Sequence, residues 1–162
     1  MNLKNVVPRL FMIVLLAAIG CLSSCKDDIS GFDLEKDPLK GKIGGEEWQY
    51  AAGSANVNNS SYYLEGLIVG ESTQDPCAIR VSSKLHLSIK IPGRKGSYNI
   101  NSSLNSEATI IFNLPNGVKR FTATGGFVEV VAVGSQQLIG YMSADFDDDN
   151  TVQGSFLLEF CN

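Results

Sequence analysis

Apolar and polar residues alternate with a period of two from Leu39 onward, and this feature constrains the fold more than any other. In "KLHLSIKI", Leu85, Leu87, Ile89 and Ile91 alternate with Lys84, His86, Ser88 and Lys90. "LIGYMSADF" sets Leu138, Gly140, Met142, Ala144 and Phe146 on one face, and "VQGSFLLEF" does the same with Val152, Gly154, Phe156, Leu158 and Phe160. Side chains of a strand point to opposite faces in turn, so each segment has one buried and one wetter face. That is the pattern of antiparallel sheets. No stretch carries the 3.6-residue period of a crossover helix, which argues against a parallel sheet.

Short turn signals separate the alternating runs: "PGRKG" at 92–96, "PNG" at 115–117, "GSQQ" at 134–137 and "DDDN" at 147–150. Each has hairpin length. The expectation is an all-β, antiparallel up-and-down meander of about nine strands. These lie near residues 39–44, 46–57, 61–70, 77–82, 84–91, 96–101, 108–114 and 118–133, with two more within 137–161. A sheet with so many strands must curl into a small barrel or split into a sandwich to manage its edges, and both remain open.

The first residues, "MNLKNVVPRLFMIVLLAAIGCLSSC", have another character. Lys4 and Arg9 precede an apolar run, Leu10 to Ile19, that is shorter than the roughly 20 residues of a membrane-spanning helix. Small residues then lead to a cysteine, the layout of a secretory signal. "LSSC" (Leu22 to Cys25) resembles the bacterial lipobox, which implies lipid on Cys25 and cleavage before it. The rival "AIGC" ends at Cys21 with Ala three residues upstream, and an ordinary signal with incidental cysteines is the plainest alternative. "KDD" (Lys26, Asp27, Asp28) resembles the export signal of Bacteroidota surface lipoproteins; the bland alternative is a solvated linker. The expected organisation is a signal peptide at 1–24, a lipidated cysteine and charged tether at 25–38, and one β domain at 39–162.

"GKIGGEEW", "GSYNI" and "TGGFVEVVAVGSQQLIGYMSADFDDDNTVQGSF" together resemble small all-β lipoproteins of Bacteroidota, many of them domains of unknown function. The resemblance implies a bacterial outer-membrane location at the cell surface, with the membrane as partner through the lipid anchor. It implies no chemistry.

Cleavage before Cys25 would leave 138 residues (162 − 24) with 13 − 2 = 11 basic against 17 acidic residues, a balance of −6. That disfavours nucleic acid, which calls for a basic footprint. Export to an oxidising compartment makes a disulfide between Cys77 and Cys161 the expectation, with two separate buried thiols as the alternative.

Few residues nominate themselves for chemistry. His86 is the sole histidine, and its polar position in the alternation reads as a solvated side chain rather than a general base. No G-x-S-x-G accompanies it, and no glycine pattern opens a helix as phosphate loops do. Asp145, Asp147 and Asp149 in "DFDDDNT" offer hard oxygens to a cation. Read as a twelve-residue calcium loop from Asp147, however, Val152 and Leu158 stand where Gly and a bidentate Glu are required. An acidic hairpin turn is the simpler reading. Trp48 and Tyr50 share a face of "EEWQYAA" and form either a ligand platform or core; Tyr62 and Tyr63 point to opposite faces.

The functional expectation is a non-catalytic, cofactor-free binding domain for a glycan or a protein. The alternatives are a small inhibitor of a host or competitor enzyme and a carrier of an apolar ligand. A carrier needs an unfilled barrel interior, and the many large inward residues argue against one.

Overall fold

The computed structural model describes residues 37–56, 62–81, 83–103 and 106–161. The expected signal peptide, the lipid-bearing Cys25 and the Lys26-Asp27-Asp28 signal lie outside the described residues. Eleven strands follow one another: β1 (Lys40–Ile43), β2 (Glu46–Gln49), β3 (Ala52–Asn56), β4 (Tyr63–Val69), β5 (His86–Pro92), β6 (Gly96–Asn99), β7 (Thr109–Asn113), β8 (Arg120–Thr122), β9 (Gly125–Val133), β10 (Gln137–Asp147) and β11 (Asn150–Cys161). The protein is all-β. Helix is confined to two short 3-10 turns, Pro76–Ala78 and Pro115–Gly117, within the described residues.

The strands form one sheet in the order β6-β9-β10-β11-β3-β4-β5-β7-β8, with β1 beside β11 and β2 beside β1. β8 ends the path on one side while β9 lies next to the other end, yet only Ala123 and Thr124 separate them in the chain. At 3.8 Å per Cα step, so short a link brings opposite ends of the sheet together only if the sheet curls. The result is a half-barrel. Thr124 N donates to Asp145 O (2.8 Å) at this junction and continues the β9–β10 ladder toward β8.

The connectivity departs from a pure meander. β11 is long enough for two partners. Its first half pairs antiparallel with β1, from Lys40↔Gln153 to Lys42↔Thr151, and its end runs parallel to β3, from Glu159↔Ser54 to Cys161↔Asn56. The turns at 115–117, 134–137 and 147–150 do join paired neighbours. "PGRKG" does not: β5 pairs with β4 and β7, while β6 pairs with β9. The strand expected at 77–82 is absent. Pro76 fixes its own φ and Asp75 accepts from the Cys77 amide (2.9 Å), which caps a 3-10 turn where a ladder would need free donors.

The alternation expected from the sequence supplies the interior. Leu87, Ile110, Phe112, Leu138, Met142 and Phe156 are fully buried, and Leu39 and Leu158 join them. Burial of one such side chain contributes roughly 1.5–3 kcal/mol, so this face is the main source of stability. Gly126 marks a tight backbone approach: φ is +117° and a Cβ there would lie 2.0 Å from Ser143 O. Only glycine fits between β9 and β10 at that point. Asp37 and Pro38, placed by the sequence at the end of the tether, already belong to the sheet, because Ser155 N donates to Asp37 O (2.8 Å) and Pro38 bridges Ser155.

Candidate functional site

With the inner face filled, recognition falls to the outer one. On β4, β5 and β7 the register aligns outward residues in rows. One row runs Asn56, Glu65, Lys90, Thr109, and the next runs Leu67, Ser88, Ile111. These residues line a groove of about 420 Å³. Its size falls within the range of small-ligand sites, about 300–1,000 Å³. Leu67 and Ile111 give it an apolar floor, and hydroxyls, an amide and a charged pair surround them.

A buried polar side chain on the same face flanks the floor. Asn113 Nδ2 donates to Ser88 Oγ (3.0 Å), to Ile111 O (3.0 Å) and, more weakly, to His86 O (3.4 Å). Ser88 Oγ therefore spends a lone pair on Asn113, which leaves its own O–H free to donate to a ligand acceptor. His86, one row further along the strand, is 8% exposed rather than solvated as the alternation implied. Val81, Asn113 and Leu114 gather with it at this end of the sheet, and His86 Nδ1 donates to Lys84 O (2.9 Å). A carbonyl only accepts, so Nδ1 carries the proton and the neutral ring leaves Nε2 bare. Burial depresses the pKa of His86, with the Lys84 carbonyl opposing in part.

Aromatic rings and cations rim the other end. Tyr62 is 49% exposed and meets Tyr63 edge to face at 5.1 Å. The Arg94 guanidinium carbon lies 4.8 Å from the Tyr62 ring centre, and Lys90 Nζ lies 5.4 Å from that of Tyr63. Lys90 also reaches Glu65 (3.8 Å), an exposed pair of small energetic weight. Lys90, which lines the groove, thus leads to the Tyr63 ring, with Tyr62 and Arg94 continuing beyond it.

The sequence-nominated residues lie elsewhere. Trp48 is 7% exposed and belongs to the core, beneath Gly70, where a Cβ would stand 2.8 Å from its Nε1. Tyr50 is half-buried and donates its hydroxyl to Leu157 O (3.0 Å); burial raises its pKa and the Glu159 carboxylate pushes the same way. The pair therefore offers no open platform. Asp145, Asp147 and Asp149 form the β10–β11 turn: Asp147 Oδ1 accepts from Asp149 N (3.1 Å) and Asn150 Nδ2 (2.7 Å), which turns that carboxylate inward on its own loop. Among the described residues no three His, Cys, Asp or Glu side chains are grouped to hold a metal. Cys77 and Cys161 are joined as a disulfide, Cα atoms 5.5 Å apart, tying the loop after β4 to the end of β11.

The groove residues were missed in the sequence, although a signal exists. "GLIV" at 66–69 and "TIIF" at 109–112 each put an apolar residue on a position the period of two assigns to the wet face, Leu67 and Ile111. Compared with family models, curated proteins and solved structures, the chain matches none of them.

Proposed function

We propose that the chain is a lipid-anchored protein of the bacterial outer membrane, facing the cell surface, whose β domain binds a glycan without catalysis in the β4–β5–β7 groove. The carrying observation is the make-up of that groove. An apolar floor of Leu67 and Ile111, a hydroxyl oriented by Asn113 and the exposed Tyr62 ring beyond Tyr63 at one end match a saccharide ring, which offers both C–H faces and hydroxyl edges. An apolar carrier would need interior space, and that space is occupied by Phe112, Phe156 and Met142.

The glycan reading is tested by an array of bacterial and host glycans probed with the purified chain in detergent. Binding that Tyr62→Ala and Ser88→Ala both weaken supports it; a protein partner captured instead, with no glycan bound, overturns it. Anchoring rests on Cys25, since each acyl CH₂ buried in a bilayer contributes about 0.8 kcal/mol. Cys25→Ser is expected to release the chain from the membrane fraction. An unmodified N-terminus beyond Cys25 in the membrane-extracted protein contradicts the anchor. For the surface location, Asp27→Ala with Asp28→Ala is expected to reduce cleavage by protease added to intact cells, and unchanged cleavage counts against the export signal.

A further inference from the structure

We infer that the saccharide this groove takes is an acidic one, carrying carboxylates of the uronic-acid type; the inference rests on the glycan-binding reading above. Its basis is local charge. Lys90, which lines the groove, and Arg94, beside the Tyr62 ring, stand against Glu65, a local balance of 2 − 1 = +1 in a chain whose overall formal charge is −4. Among the described residues the Arg94 guanidinium has no carboxylate partner and lies beside the Tyr62 ring. A guanidinium held beside a ring keeps N–H donors for an incoming carboxylate, in a fork that matches two oxygens. Lys90 stands over the neighbouring Tyr63 ring, which meets Tyr62 edge to face, so a sugar stacked on Tyr62 would present its carboxylate on the side that holds the cations.

An acidic peptide is the competing source of carboxylates, and the backbone argues against it. Peptides commonly bind sheets by adding a strand at an open edge. Here β4, β5 and β7 are each paired on both sides, with β3 and β5, β4 and β7, and β5 and β8 respectively. The groove lies in the middle of the sheet and offers side chains only.

The experiment is calorimetric titration of the full chain with an oligogalacturonide, with the same oligomer after its carboxylates are reduced to hydroxymethyl groups, and with a glutamate-rich peptide of equal charge. The uronide is expected to bind at least about tenfold more tightly than the reduced oligomer, with affinity falling as salt rises. Arg94→Gln and Lys90→Gln, both at exposed side chains, should each remove most of that preference while leaving the melting temperature unchanged. Equal binding of uronide and reduced oligomer overturns the acidic assignment and leaves the glycan reading standing. Equal binding of the peptide also overturns it. No binding of either oligomer, with none on the glycan array, removes both readings.

Discussion

Asn113 donates its side-chain amide to Ser88 Oγ at 3.0 Å, so a buried residue of β7 determines how a groove hydroxyl on β5 is presented. Asn113 is 6% exposed and satisfies Ser88, Ile111 O and His86 O together. Recognition on the outer face and stability of the sheet are therefore coupled through one side chain.

Asn113→Leu strips those acceptors of their donor in a site closed to water. A loss of about 1–3 kcal/mol is expected, the cost of buried polar groups left unpaired. Ser88→Ala removes one partner at the groove surface and should cost less, about 0.5–1.5 kcal/mol. Urea denaturation measures both. Equal midpoints for Asn113→Leu and the parent chain would deny the amide its structural role.

The Cys77–Cys161 disulfide spans 84 residues of sequence. Loop closure of that length restricts the unfolded chain by roughly 4 kcal/mol on the chain-entropy estimate. Cys77→Ser paired with Cys161→Ser is expected to lower the unfolding free energy by an amount of that order, and reduction of the parent chain should reproduce it. Peptide mass mapping without reductant checks the bond itself. Free thiols at both positions in protein taken from the envelope would contradict it.

His86 makes stability depend on pH in a defined direction. Its folded pKa lies below the unfolded value of about 6.5, because burial disfavours the imidazolium. Between the two values the unfolded chain binds the extra proton. The contribution is thus complete above about pH 6.5 and is lost as pH falls through the folded pKa. Urea unfolding of the parent and of His86→Gln at about pH 7.5 and about pH 5 isolates the effect. The parent should lose more stability on acidification than the variant does; identical losses would mean the ring is not buried neutral.

How far the sequence disclosed this molecule depended on whether a property was local or tertiary. The period of two in 84–91, 138–144 and 152–160 marked the inward faces of β5, β10 and β11, since strand geometry alone imposes that period; Phe146, assigned to the same face, is 39% exposed, at the register shift between Asp145 and Asp147. The parallel β3–β11 pairing left no local trace, because β11 exchanges partners midway along its length. His86 was misread for a similar reason: polar alternation reports which face a residue is on, whereas its burial depends on what gathers there, Val81 with Asn113 and Leu114 of the adjoining strand and turn. Trp48 and Tyr50 drew attention as aromatics, yet aromatic rings serve cores as readily as surfaces. The groove was written more faintly, in Leu67 and Ile111 breaking the alternation. Its polar half arises only when β4, β5 and β7 come into register.

The central claim is that the outer groove of β4, β5 and β7 is the ligand site, and amide chemical-shift mapping of the isotope-labelled chain during titration with a saccharide pool tests it most directly. The expected result is saturable shifts concentrated at Tyr63, Glu65, Leu67, Ser88, Lys90, Thr109 and Ile111, abolished by Tyr62→Ala together with Ser88→Ala. Saturable shifts centred instead on the β10–β11 turn at Asp147–Asn150, or on the outer face of β9 and β10 around Phe127 and Tyr141, would contradict it.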